Sequence, residues 1–170
     1  QAAKAYVFEY SPGRYGANEE NLKKSHAIQI KMGQAAKAGL GGHLLASKVN
    51  ADIAAARGIQ PGEDCISQAN HHDIIEPADF IKKVAWLKEV GGGVPVGVKI
   101  ASGWIEQDLE VALAAEVDFI TLDARGGSTG AAPDHIKDNV CVPLPYALAR
   151  ARQFLQQSGK ENDVSLLVAG

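Results

Sequence analysis

The stretch from Val94 to Asp123, VPVGVKIASGWIEQDLEVALAAEVDFITLD, decides the fold class. It opens with the apolar, β-branched run Val94-Pro-Val-Gly-Val-Lys-Ile100 and closes with a second such run, Val117-Asp-Phe-Ile-Thr-Leu-Asp123. Between them, Leu109, Ala112 and Leu113 recur at helical spacing across Ile105 to Ala115. Strand, helix and strand in this order make a βαβ unit, whose two strands run parallel in one sheet. Near-continuous apolar residues are the pattern of strands covered on both faces, and that is the expectation here.

The same alternation continues outward in both directions. Upstream, the turn Gly91-Gly-Gly93 is preceded by a helix from Pro77 to Val90, with Phe80, Ile81, Val84, Ala85 and Leu87 on one face. Pro77 is tolerated in its first turn, where no amide donor is needed. Downstream, a helix from Leu144 to Gln157 carries Ala147, Leu148, Phe154 and Leu155 and ends at Gly159 as its cap. A third strand, Val164 to Ala169, follows. A further helix from Lys48 to Arg57 is closed by Gly58, and Tyr6–Tyr10 and Ile28–Met32 are predicted strands.

Repeated units of this size suit an α/β fold, either a doubly wound sheet or a (β/α)8 TIM barrel. A full barrel typically needs about 250 residues, so 170 residues are read as one partial barrel domain, 1–170, incomplete at the C-terminus. The ending on an apolar strand without a covering helix favours the barrel and predicts open strand faces or edges there.

Composition narrows the function classes. With 46% apolar and 22% charged residues, the chain is neither a disordered tail nor a collagen-like repeat. Seventeen basic residues against twenty acidic ones leave a net charge of -3, which gives no footprint for a nucleic acid or an anionic membrane. No run reaches the roughly 18–20 apolar residues of a spanning helix. Cys65 and Cys141 stand far apart and in no C-x-x-C pattern, so neither a disulfide framework nor a self-contained metal or iron–sulfur site is expected. Both are read as buried packing residues, and a reducing, cytoplasmic compartment is the expectation.

Four places carry candidate chemistry. Asp123-Ala-Arg-Gly-Gly-Ser-Thr-Gly-Ala-Ala-Pro133 directly follows a strand, where glycine amides can approach an anion or a flat cofactor; the alternative is a tight turn needing positive φ. Lys31, Gln34 and Lys37 stand three apart beside Gly39, Gly41 and Gly42, and either hold a dicarboxylate or form a solvated helix face. Lys99, inside an apolar strand, needs an anionic or polar partner unless it snorkels to water. The pair His71-His72 points to opposite sides of an extended chain, so a structural hydrogen-bonding role is favoured over a shared metal, for which His43 is the remaining loop candidate. Arg14 and Arg57 are either anion contacts or solvated. No P-loop, Rossmann fingerprint or nucleophile elbow is present.

Taken in order, Gly13-Arg-Tyr-Gly16, Gln29-Ile-Lys-Met32 with Gln34-Ala-Ala-Lys-Ala-Gly-Leu-Gly-Gly42, the helix ending at Arg57, His71-His-Asp-Ile74, Val96-Gly-Val-Lys-Ile100 and Gly126-Gly-Ser-Thr-Gly-Ala-Ala-Pro133 resemble the FMN-binding central region of the glutamate synthase family, and its shorter archaeal and bacterial members most. The resemblance covers about Gly13 to Gly170. It implies an FMN-bearing barrel in which reduced FMN passes a hydride to 2-iminoglutarate, made from 2-oxoglutarate and ammonia, to give glutamate.

By this resemblance, Gln34, Lys37 and Arg57 hold the 2-oxoglutarate carboxylates, and Lys31 and Lys37 act at the reacting centre. Lys99, Gly126, Gly127, Ser128, Thr129 and Gly130 would contact the flavin. Ala38, Leu40, Gln68-Ala-Asn70 and the inserted Ser128 depart from the usual family pattern, which leaves room for a modified glutamate as the product. A 3Fe-4S cluster, a glutaminase and an electron donor would belong to other domains or subunits, and the chain alone is expected to be inactive. Two other readings stay open. One is a non-catalytic, partner-binding fragment; the other is a flavin-free phosphate-binding barrel enzyme using Lys99 as a Schiff-base nucleophile.

Overall fold

The computed structural model describes residues 4–57 and 59–170. Gly58, the expected stop of the helix ending at Arg57, lies outside the described residues. In chain order the elements are β1 (Val7–Tyr10), α1 (Glu19–Lys24), β2 (Ala27–Lys31), β3 (His43–Leu44), α2 (Ala51–Arg57), β4 (Cys65–Ile66), α3 (Pro77–Val90), β5 (Val96–Ala101), α4 (Ile105–Ala114), β6 (Phe119–Asp123), α5 (Asp134–Lys137), α6 (Leu144–Gln157) and β7 (Ser165–Ala169). Single 3₁₀ turns occupy Ala35–Lys37 and Ala46–Lys48. No described helix is long and apolar enough to cross a membrane.

Five strands form one parallel sheet in the order β1-β2-β5-β6-β7, while β3 and β4 pair as a separate antiparallel ribbon. The protein therefore has an α/β fold. Within the sheet each strand lies beside its predecessor in the chain, with no point where the order reverses. A doubly wound sheet has such a reversal. Uniform right-handed crossovers instead put every helix on the same face, as in a barrel wall.

That face is the core. Phe80, Val84 and Leu87 of α3, Ile105, Leu109 and Ala112 of α4, and Ala147, Ala151 and Leu155 of α6 are buried against Ile28, Ile30, Val96, Val98, Ile100, Ile120 and Leu122. The helix ends follow local chemistry. Glu76 and Asp79 form a capping box at the start of α3 around Pro77, Gly92 and Gly93 take positive φ after its end, and Gly159 does so after α6.

The opposite face differs from the expectation. In register, Glu9 lies beside Gln29, Lys31 beside Lys99, Lys99 in turn beside Thr121, and Ala101 beside Asp123. These positions alternate with the apolar ones, so Glu9, Gln29, Lys31, Lys99, Thr121 and Asp123 all share the face without helices. The strands are thus not apolar on both faces. In Val94–Ile100 the large apolar residues fall on every second position, and Gly97 and Lys99 supply the other face. Phe119 fills the space above Gly97, where a Cβ would stand 2.3 Å from its ring. β7 is the last strand of the sheet and largely exposed, with Leu167 and Val168 each 44% accessible.

The helix expected over Lys48 to Arg57 is shorter. Asn50 Oδ1 accepts from the Ile53 amide at 2.9 Å, so the helix starts after Asn50 and the preceding residues close a separate 3₁₀ turn. Helix α1 carries no periodic signal in the sequence, since Leu22 alone of its six residues is buried.

Candidate functional site

Past the carboxyl ends of β1 and β2 lies a cleft of about 250 Å³ that brings together Lys31, Gln34, Lys37 and Arg57. Lys31 is the last residue of β2, and the chain leaves the sheet there into the 3₁₀ turn that places Gln34 and Lys37. The three therefore lie at a strand end and turn, not along the helix face that their spacing allowed. Arg57 arrives from a different element, the C-terminus of α2. Its guanidinium stacks 4.3 Å over the Tyr15 ring and its Nη1 donates to Cys65 Sγ at 3.4 Å. Buried Cys65 is thus more than packing, because it fixes a cation at the cleft, while Cys141 is buried as expected.

The glycine loop forms the cleft wall. A Cβ at Gly41 would stand 1.8 Å from the carbonyl oxygen of Ser67, and the Gly42 amide donates to Ser67 Oγ at 2.7 Å. Only glycine lets the two segments approach this closely. Lys37 Nζ reaches the Gly41 carbonyl at 3.5 Å, and both burial and the neighbouring Lys31 charge hold the Lys37 ammonium below the usual lysine range. Three cations and an amide around one small cleft are suited to an anion with more than one carboxylate.

A second group adjoins this cleft. Lys99 Nζ donates to Glu9 Oε2 at 2.5 Å, and Lys31 Nζ stands 3.4 Å from Glu9 Oε1. Burial would push the Glu9 carboxyl up, but the hydrogen bond and charge of Lys99, joined by Lys31, hold it below the carboxylate range. Lys99 accordingly has the anionic partner its strand position demanded. Gln29 Nε2 donates to Thr121 Oγ1 at 2.6 Å on the same face. Asp123 completes the row, its carboxyl pushed up by burial against the opposing pull of Lys99.

The loop of Gly126, Gly127, Ser128, Thr129 and Gly130 lies outside the 250 Å³ cleft. It follows β6 and packs against the end of β7: a Cβ on Gly127 would stand 3.0 Å from Gly170 Cα, whereas one on Gly130 would meet open space. Thr129 Oγ1 accepts from the Ala131 amide at 3.1 Å, closing the turn.

His71 acts as a structural strut. It is 1% exposed, stacks on Tyr10, and bonds Lys31 O through Nε2 at 2.9 Å, while Arg14 bonds its Nδ1. Arginine only donates, so Nδ1 accepts and Nε2–H donates, which fixes the neutral tautomer. Burial, with Arg14 and Lys83 charges adding to it, lowers the His71 pKa. Arg14 also pairs with Asp73, which Lys83 contacts at 2.8 Å. His72 is exposed, and His43 pairs with Asp64 at 2.7 Å.

Sequence reasoning did not single out Glu9, Tyr15, Gln29 or Thr121. Glu9 between Phe8 and Tyr10 is a readable anomaly, a carboxylate inside a strand, but its partners emerge only once β1 is placed two strands from β5. A larger cleft of about 370 Å³ opens on the helix side of the sheet, lined by apolar groups such as Phe80, Ile100 and Val111. It holds no cation and lacks the chemistry of the first.

Comparison with known proteins agrees with this arrangement. The family described as the conserved region in glutamate synthase matches residues 1–170. The chain is 42% identical to the archaeal glutamate synthase [NADPH] of Methanocaldococcus jannaschii over 96% of its own length and 32% of that protein. It is 39% identical to the archaeal-type glutamate synthase [NADPH] of Dehalococcoides mccartyi, covering 96% of this chain and 33% of the other. With the glutamate synthase [NADPH] large chain of Bacillus subtilis the identity is 32%, over 96% of this chain and 11% of that one. The chain thus spans about a third of the archaeal-type relatives and less of the large chain. On the match across its full length, it belongs to the glutamate synthase family.

Proposed function

We propose that this chain is the FMN-carrying part of a glutamate-synthase-type oxidoreductase that reduces 2-iminoglutarate, formed from 2-oxoglutarate and ammonia, to L-glutamate. The observation that carries the reading is the convergence of Lys31, Gln34, Lys37 and Arg57 on one cleft whose rim residue, Glu9, is bonded to Lys99.

The residues fit FMN. A sheet face bearing an ammonium, an amide and a hydroxyl offers donors to the polar edge of a flat ring, and Gly130 leaves open space in the loop after β6. Lys99 and residues 126–130 would hold it there. Reduced FMN supplies a hydride when bound. The chain's own residues do the rest. Arg57, kept rigid by Tyr15 and Cys65, binds one carboxylate; Lys37 and Gln34 bind the other, fixing the carbon between them. Lys31, close enough to lower the Lys37 pKa, adds positive charge beside the reacting carbon. No nucleophile is required, in keeping with the lack of any activated serine or cysteine motif.

Ammonia and electrons would come from glutaminase and electron-donor domains or subunits, and a 3Fe-4S cluster, if used, from outside these residues. The 2.5 Å ion pair with Glu9 opposes the Schiff-base reading, because it engages the Lys99 Nζ that would have to attack a carbonyl carbon.

The test is an FMN titration of the full-length protein followed by absorbance and flavin fluorescence, then 2-oxoglutarate titration of the loaded protein. Saturable binding of both is expected. Absence of flavin binding would leave the partner-binding reading in place of the enzymatic one, and borohydride trapping of Lys99 with a keto acid would establish the aldolase-like one.

A further inference from the structure

Among the described residues, Glu9 is the one carboxylate within ion-pair distance of both lysines that the proposed function gives to different ligands. Its Oε2 is 2.5 Å from Lys99, on the flavin side, and its Oε1 is 3.4 Å from Lys31, in the dicarboxylate cleft. It reaches both because β1 pairs with β2, and β2 with β5, in a register that lines up Glu9, Lys31 and Lys99 on one face. The lysine side chains are 26% and 16% exposed and that of Glu9 is 43% exposed, so water screens the shared charge only in part. A second carboxylate, Asp123, sits on the same face, and the Glu9 charge adds to the cost of ionising it.

We propose that Glu9 is a positioning residue that divides one negative charge between Lys99 and Lys31, and so sets both the positive potential at the flavin and the affinity of the cleft for a dicarboxylate. This inference rests on the reading of Lys99 as a flavin contact and of Lys31 as part of the substrate cleft. Its physical content is simple. Each lysine partly neutralised by Glu9 offers less charge to its own ligand, and removing that negative charge while keeping the side-chain shape releases both.

The experiment uses the full-length, FMN-loaded protein and two readouts that need no turnover: the flavin midpoint potential and the 2-oxoglutarate dissociation constant by calorimetry. Glu9→Gln is expected to favour reduced over oxidised flavin by about tenfold, a rise of about 30 mV for a two-electron couple. It is also expected to tighten 2-oxoglutarate binding severalfold. Glu9→Asp, which keeps the charge, should stay near the unsubstituted protein. Lys99→Met should itself lower the potential.

A shared structural role alone would weaken both ligands, and that result would overturn the proposal. A potential that responds to Lys99→Met but not to Glu9→Gln would also overturn it while leaving the flavin assignment of Lys99 intact. If neither substitution moves the potential, the assignment of Lys99 falls and the proposal falls with it.

Discussion

Lys37 shows how one half-buried cation can define a ligand. Its ammonium is partly desolvated and faces Lys31, two effects that disfavour the charged form and that an anionic ligand would offset. Lys37→Met in the full-length protein removes a charge-assisted hydrogen bond of about 1.5–3 kcal/mol. The expected outcome is 2-oxoglutarate binding weakened by about 10- to 100-fold with FMN binding unchanged, measured by titration; equal binding would remove Lys37 from the site. The sign of the pH dependence follows. Binding requires the ammonium, whose pKa lies below the ordinary value, so affinity should fall as pH rises at values lower than the roughly 10.4 of a free lysine. His71 gives the opposite sense for stability. Its folded pKa is lowered, so the unfolded chain takes up the proton first. Its contribution is complete above about pH 6.5, the unfolded value, and is lost as pH falls from there through the folded pKa. Urea midpoints should therefore decline from neutral toward mildly acidic pH in the unsubstituted protein and be flatter in His71→Gln. Glu9 and Asp73, with lowered carboxyl values, lose their contributions only at more acid pH.

At the scale of elements, glycine positions decide how closely segments approach. The ribbon β3–β4 contains only two residues per strand, yet it closes the cleft because Gly41 lies against the Ser67 backbone. Gly41→Ala forces these segments apart, since the contact is backbone and not a flexible side chain. It should weaken 2-oxoglutarate binding by tenfold or more, about 1.4 kcal/mol, with little change in the thermal unfolding of the main sheet; unaltered affinity would show that the wall is not part of the site. Gly97→Ala is the contrasting case. Its Cβ would collide with Phe119 inside the main sheet, and overpacking of this kind costs about 1–3 kcal/mol. The same scale shows what the sequence made legible. Helices α3 and α6 were readable, α3 from a strong apolar stripe between Pro77 and Gly91 and α6 from a looser stripe that Gly159 closes. The cleft residues Gln34, Lys37 and Arg57 were readable from motif order and proved neighbours. Glu9, Tyr15 and Ser67 were not, because their roles come from strand order and from a glycine contact across twenty-six positions, between Gly41 and Ser67, that no local pattern encodes. The polar face was hidden for a related reason: Gly97 and Lys99 alternate with valines so briefly that the run passes for a continuous apolar one.

In the whole molecule, helices cover one face of the main sheet only. Helices cover Ile30, Val98, Ile120 and their neighbours, while the other face carries Glu9, Lys31, Lys99 and Asp123 half-shielded from water. Five parallel strands in unbroken chain order, twisting with the usual hand, curl toward closure, and further strands beyond β7 would turn the charged face into a barrel interior. Interior placement would strengthen each ion pair on that face by lowering the local dielectric. Without such strands, β7 offers unpaired backbone groups flanked by Leu167 and Val168, an edge suited to pairing with another chain. The 170-residue polypeptide by itself should therefore self-associate as its concentration rises, and sedimentation velocity would register this as a growing weight-average mass. Replacing Leu167 and Val168 together with lysine places charge on both sides of the edge and should keep the chain monomeric with its circular dichroism unchanged. A parent chain that stays monomeric across the same concentrations would mean that this edge is not adhesive, and the case for strands closing over it would then rest on strand order alone.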